Sequence, residues 1–353
     1  MTPLTPHTSP RPRRPEVWIH GFPSPGRTAA AAASVEEQGF DGMLLADSQH
    51  LVADPYVELA LSARTTSRLG LGTGTTNPAT RHPAVTAAAI ATVHAESGGR
   101  AVLGIGRGDS ALVQAGLPAT TTGELERYLT DVRALLRGEP PPSGSGAAIG
   151  WIAGLGLSPV PVEVAATGPR TVAVGAVRAD GVLLTVGADT ARIAAAVAAA
   201  RAARTAAGLD PAGLRLGAYV NVACHPDVAT ACDLVRGSTA IFAHFSSMSA
   251  GAGRDVAAAD RRVIEQVGAG YDTARHGLGG SRQTAVLDDD FVARFAVVGP
   301  PERCLERLGA LLDLGLDRIV VVAGSRDANP ALVARTTELF AREVLPELHG
   351  LRG

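Results

Sequence analysis

The sequence predicts an α/β fold, a (β/α)8 TIM barrel with insertions, and three observations carry that expectation. Short aliphatic runs end in Gly, Asp, Ser or Asn; Ala-rich helical stretches separate them; and eight such strand–helix units can be laid along the 353 residues. Strands that alternate with helices pair in parallel through crossover connections, and eight units favour a closed ring over an open doubly wound sheet.

The strand candidates are Val17–Phe22, Gly42–Ala46, Leu69–Thr73, Ala101–Ile105, Val162–Ala166, Gly181–Thr185, Arg215–Val222 and Arg318–Ala323. The helices are expected over Thr28–Gln38, Pro55–Thr65, Pro83–Glu96, Glu124–Leu136, Thr190–Ala207, Asp227–Phe245, Pro300–Leu314 and Pro330–Val344. Several open on a proline, which suits the first helical turn because its missing N–H has no intrahelical partner there.

Residues 1–15 are rich in Pro and Arg and lack an apolar stretch, so they read as a disordered leader rather than a signal peptide, followed by one domain over 16–353. Two segments exceed the usual length of a strand–helix loop. Residues 138–161, rich in Pro, Gly and Ser, read as a surface excursion, and residues 246–290 as a lid over the site.

Composition narrows the function. A net charge of −2 without a basic block, and only 4% aromatic residues, leave no footprint for nucleic acid or an anionic membrane. No apolar run is long and uninterrupted enough to span a bilayer. Cys224, Cys232 and Cys304 have neither CxxC spacing nor the count of a disulfide framework, which points to a reducing cytoplasmic setting and away from structural zinc. The chain has no lysine, which excludes Schiff-base chemistry and a Walker A loop.

In a barrel of this type the active site forms where strands end and helices begin. The strand tails hold His20, Asp47 with His50, Gly74-Thr75-Thr76-Asn77, Gly106-Arg107 and Thr167-Gly168-Pro169. Glycines let backbone approach a ligand, and hydroxyls and amides give neutral hydrogen bonds to a flat heterocycle. Thr167-Gly168-Pro169 opens a helix, whose free amides suit a phosphate. Asp47 and His50 share one tail and are candidates for orienter and proton donor. His20 and His276 are substrate-binding candidates, and Arg107 is expected to pair with Asp109 or a phosphate.

Gly104-Ile105-Gly106-Arg107-Gly108 lacks the GxGxxG spacing of a dinucleotide fold and no ribose-binding acid follows. Trp18-Ile19-His20 offers one histidine where a metal hydrolase of this architecture needs a cluster, so no metal is expected.

Several runs together carry a resemblance: Thr73 to Pro78, Thr80 to Thr86, Glu96 to Arg100, Gly104 to Ser110, Ala166 to Pro169, Ala179 to Val182 and Val298 to Glu302. They resemble the bacterial-luciferase-like monooxygenase superfamily, in its F420-dependent branch similar to methylenetetrahydromethanopterin reductase, over roughly residues 16 to 345. The resemblance implies a homodimeric barrel that binds coenzyme F420 or FMN. It places the ring-binding acid on Asp47, a bulge with a non-proline cis peptide at Gly74-Thr75, with Thr76 beside it, and the phosphate loop on Thr167, Gly168 and Pro169.

The activity this implies is hydride transfer between the deazaflavin and a small organic substrate, in the reducing direction, with His50 or a water giving the proton. The alternatives are a two-component FMN monooxygenase supplied by a partner reductase, and a barrel that binds the cofactor without turnover. The sugar-phosphate dehydrogenases of the superfamily hold their substrate with lysines, which this chain lacks. Ala84, Ala87, Ala88, Ala89 and Ala91 on the third helix are expected at a dimer contact.

Overall fold

A computed structural model describes residues 14–144, 146–248 and 258–351. Its strands are β1 (Glu16–Gly21), β2 (Gly42–Leu45), β3 (Gly70–Thr73), β4 (Ala101–Ile105), β5 (Val162–Ala166), β6 (Gly181–Leu184), β7 (Arg215–Cys224), β8 (Val297–Gly299) and β9 (Arg318–Val322). All pairings are parallel, and β1 through β7 with β9 form a closed eight-strand ring, sealed where β9 joins β7 to β1 and β6 joins β7.

The helices are α1 (Thr28–Glu37), α2 (Pro55–Thr65), α3 (Pro83–Glu96), α4 (Ser110–Gln114), α5 (Thr122–Leu136), α6 (Gly150–Ala153), α7 (Pro169–Arg178), α8 (Thr190–Ala206), α9 (Val228–Ser247), α10 (Ala258–Ala269), α11 (Asp289–Phe295), α12 (Pro301–Asp313), α13 (Pro330–Glu343) and α14 (Leu345–Gly350). Their ends follow local chemistry. Asp54 accepts from the Tyr56 and Val57 amides at the start of α2, and Thr121 and Glu124 form a reciprocal capping box on α5. That box starts α5 two residues before the expected Glu124.

The strand missing from the sequence reading is β8. β7 runs for ten residues and overshoots the ring, so Val222, Ala223 and Cys224 pair with Val297, Val298 and Gly299 above it. Three residues carry no periodicity from which a strand could be read.

Two apolar layers hold the barrel. Between strands and helices lies a continuous aliphatic layer that includes Leu71, Ile90, Leu103, Val132, Val164, Ile193 and Leu308. Inside the ring, Trp18 lies over Gly42, where a Cβ would stand 2.3 Å from the indole, so glycine is required for that close approach. The Arg318 guanidinium covers the same indole at 4.0 Å and bridges Glu16 at 2.7 Å and Glu163 at 2.6 Å. This triad, with Arg318 and Glu163 buried and Glu16 half-buried, closes the bottom of the barrel.

Of the two insertions, the described part of 138–161 keeps to the outside, tied down by bonds such as His94 Nε2 donating to Ser158 O at 3.0 Å. The described part of 246–290 crosses the carboxyl ends of the strands. It is pinned to the segment after β9: Asp327 accepts from the Gly279 and Gly280 amides at 2.6 and 3.0 Å, Arg326 N donates to Gly277 O at 2.9 Å, and Arg326 Nη1 donates to His276 O at 2.8 Å.

Residues 1–13 lie outside the described residues, as do 249–257 of the second insertion. Of the alanines expected at a dimer contact, Ala87 and Ala91 are buried in this chain's own core, because that face of α3 packs on the barrel.

Candidate active site

The strand tails and the second insertion enclose a cavity of about 640 Å³. Its wall has two characters. On the β2–β5 side stand Asp47, Gly74, Thr75, Asn77, Gly106, Arg107, Thr167, Gly168 and Pro169, polar and glycine-rich. On the β7–β9–β1 side stand Phe22, Ile241, Phe242, Phe245 and Met248, with His20, Tyr219, His276 and Arg326 among them.

Asp47 follows β2 and is buried, its carboxylate held by Arg81 and by Gln49 Nε2 at 2.7 Å. Burial raises its pKa above the usual carboxylate value, and the Arg81 charge opposes that rise. Arg81 also lies over the Tyr56 ring at 4.8 Å, so the pair rests on an aromatic platform.

The β3 tail carries the cis Gly74–Thr75 peptide that the resemblance implied. A Cβ on Gly74 would stand 2.7 Å from Leu44 Cβ, so only glycine fits this approach of bulge to β2. His20 Nε2 donates to the Gly74 carbonyl at 2.8 Å, which fixes the tautomer and leaves Nδ1 as a bare acceptor. Burial lowers the His20 pKa to about 4, the Gly74 bond opposing, so the ring is neutral near pH 7.

Asn77 Oδ1 accepts from the Ala79 and Thr80 amides at 3.0 Å each, and its buried Nδ2 has no partner. Thr167 Oγ1 and Thr185 Oγ1 are 2.6 Å apart. Gly168 begins α7 without a side-chain cap, so the amides of that first turn have no side-chain acceptor.

A second polar group comes from distant segments. His276 of the insertion borders the cavity, and its Nδ1 is 2.9 Å from the Tyr271 hydroxyl. Burial keeps that phenol protonated, so it donates to Nδ1 and leaves the His276 proton on Nε2. Burial also lowers the His276 pKa to about 4. Tyr271 stacks on His244 with ring centroids 3.7 Å apart, and His244 Nε2 is 3.5 Å from Asp109 at the β4 tail.

Three expectations need correction. His50 does not border the cavity: it is exposed in the turn after Gln49, because the chain leaves the strand axis at Ser48. The Thr76 side chain is also outside the wall, while its backbone joins the bulge to β4 through Thr76 N to Gly104 O at 3.0 Å and Gly106 N to Thr76 O at 2.9 Å. For Arg107 only the pairing with Asp109 fails: its Nε donates to Thr120 O at 2.6 Å, and the residue still borders the cavity.

The sequence reading missed Tyr219, Asp109 as a wall residue, and the His244–Tyr271 stack. Asp109 carried a signal, since it stands at a strand tail. The others sit inside a strand or on segments brought together only by folding.

The model of the luciferase-like monooxygenase family matches residues 3–318. The chain belongs to this family and is an oxidoreductase. It is 30% identical over 316 residues to 5,10-methylenetetrahydromethanopterin reductase of Methanolobus tindarius, covering 85% of this chain and 90% of the relative. It is 27% identical over 352 residues to an F420-dependent glucose-6-phosphate dehydrogenase of Beutenbergia cavernae, covering 92% and 94%. Among solved structures, the coenzyme F420-dependent tetrahydromethanopterin reductase of Methanopyrus kandleri superposes with a TM-score of 0.74 at 22% identity, over 95% of this chain and 99% of that one.

Among the described residues no group of three or more His, Cys, Asp or Glu is placed to hold a metal ion, and no helix is long and apolar enough to cross a membrane.

Proposed function

We propose that the chain is an F420-dependent reductase that transfers a hydride between the deazaflavin and a small organic substrate. The observation that carries this reading is the division of one cavity into a polar β2–β5 wall and an apolar β7–β9–β1 wall. The full-length relatedness to F420-dependent reductases and dehydrogenases supports it.

The residues fit a phosphorylated tricyclic ring. The uncapped start of α7 beside Thr167 and Gly168 suits the phosphate. Asn77 Nδ2, buried and without a partner, and Asp47 suit the polar edge of the ring, and the Gly74–Thr75 backbone lets it lie close. When bound, the cofactor supplies a carbon that gives or takes a hydride.

The chain's own residues do the rest. Arg81 fixes the Asp47 carboxylate, and His20 fixes the Gly74 carbonyl. Phe22, Phe242 and Phe245, with His276 and Gly277 of the insertion, line the apolar half, where substrate would lie against the ring.

Titrating the protein with F420 and with FMN separates the readings. Micromolar F420 binding and anaerobic oxidation of reduced F420 by an electrophile support a reductase. Oxygen-dependent turnover with FMN from a partner reductase would replace it with the monooxygenase reading, and binding without turnover on a broad panel would mean a non-catalytic barrel.

The homodimer is a proposal as well. Val57, Leu61 and Val85 are exposed on the adjacent helices α2 and α3, an apolar patch of the kind subunit contacts cover. Sedimentation at micromolar concentration tests it, and a monomer would refute it.

A further inference from the structure

Two buried polar atoms on residues that border the cavity have no partner among the described residues. The Tyr219 hydroxyl and His20 Nδ1 are buried and unpaired, and both residues border the cavity. They are neighbours. The rings meet edge-on with centroids 6.0 Å apart, and a Cβ on Gly74 would stand 3.1 Å from the Tyr219 hydroxyl and 3.1 Å from the His20 ring.

Chemistry gives the two atoms opposite roles. Burial pushes the Tyr219 pKa up, so the phenol keeps a proton to donate. His20 has its Nε2 proton on the Gly74 carbonyl and offers a lone pair at Nδ1. The Tyr219 ring belongs to the apolar cluster that holds Leu44, Phe242 and Val320, its centroid 6.5 Å from that of Phe242, and that cluster offers the hydroxyl no acceptor. Proteins keep few buried donors unpaired, so a hydroxyl retained here calls for a ligand acceptor.

We propose that Tyr219 is a catalytic residue whose hydroxyl donates a hydrogen bond to the carbonyl or imine heteroatom of the substrate, with His20 Nδ1 accepting from the O–H or N–H of the reduced product. The proposal rests on the hydride-transfer reading above. The carbon gains a hydride from the reduced deazaflavin, the π pair moves to the heteroatom, and a solvent proton completes the hydroxyl or amine. Tyr219 keeps its own proton and stabilises the charge that develops. A carbon–heteroatom double bond suits the pair, because its heteroatom is an acceptor before reduction and both acceptor and donor after. An isolated C=C bond offers neither.

The test is Tyr219→Phe. Without cofactor, the variant melts at the wild-type temperature or above, because an unpaired buried donor has been removed. Its affinity for oxidised F420 is unchanged. In the complex with oxidised F420, acetophenone, followed by the cofactor absorbance, binds about five- to tenfold more weakly than to wild type. α-Methylstyrene, with C=CH2 in place of C=O, binds both proteins alike. A lower melting temperature, a weaker F420 affinity, or acetophenone binding that is absent from wild type or equal in both proteins overturns the proposal. Failure of wild type to bind F420 at all would sink the cofactor reading instead.

Discussion

Arg81 and Asp47 form an ion pair at the edge of the cavity: the guanidinium meets Asp47 Oδ2, its other nitrogen reaches Asp54 at 2.7 Å, and the Asp47 side chain is 1% exposed. One cation therefore neutralises a buried carboxylate and ties the β2 tail to the start of α2.

Arg81→Met leaves that carboxylate buried without its counter-charge, with Gln49 Nε2 as its remaining partner, and a loss of about 3–5 kcal/mol in unfolding free energy is expected. Asp47→Asn in the same background should restore much of it, because no uncompensated charge remains. Urea denaturation of the two variants measures both effects. Equal stability of Arg81→Met and wild type would show that water already screens the pair.

Gly168→Asp separates helix stability from anion binding. Aspartate ranks above glycine as a helix cap, and Gly168 has extended backbone with φ −89°, so α7 should hold or gain stability. The added carboxylate repels a phosphate at the same place, so F420 affinity should fall more than about tenfold. Thermal melting and cofactor titration read the two effects, and an unchanged affinity would remove the phosphate from α7.

The neutral histidines predict an acid limb in stability. His20 and His276 have folded pKa values of about 4 against a usual 6.5. Between these values the unfolded chain binds protons that the folded chain does not, so the contribution is complete above about pH 6.5 and declines as pH falls toward 4. Denaturation midpoints at about pH 7.5 and about pH 5 should differ, and His20→Gln should flatten the difference. Identical midpoints for wild type at the two pH values would contradict the neutral state of both rings.

Arg318→Met removes the cation shared by Glu16 and Glu163 at the bottom of the barrel. Glu163 is 3% exposed, so a loss of about 3–5 kcal/mol is expected, with the F420 affinity of the folded fraction unchanged. A parallel loss of affinity would mean that the triad shapes the cavity floor from below.

Much of the architecture was legible because its signals are local. Runs such as Ala101–Ile105 and Arg318–Val322 alternate with helices and end in turn residues, so the eight ring strands could be placed within a residue or two. Asp47, Gly74 and Gly168 were legible because they stand at strand tails. Tyr219 was not, because a tyrosine within a strand reads as core until the unpaired hydroxyl is located. The His244–Tyr271 stack joins a helix to an insertion, a relation with no trace along the chain. His50 falls outside the site because it stands five residues past the end of β2, where the backbone has already turned outward.

The bonds from Asp327 and Arg326 to residues 276–280 bear on inheritance as well as architecture. Roof and rim are written in two stretches of sequence that keep each other in place, so neither can drift alone without stranding backbone amides or a carboxylate. A chimera that replaces the segment after β9 therefore has to keep an acceptor at 327 and a donor at 326, or the backbone of 276–280 loses its anchors.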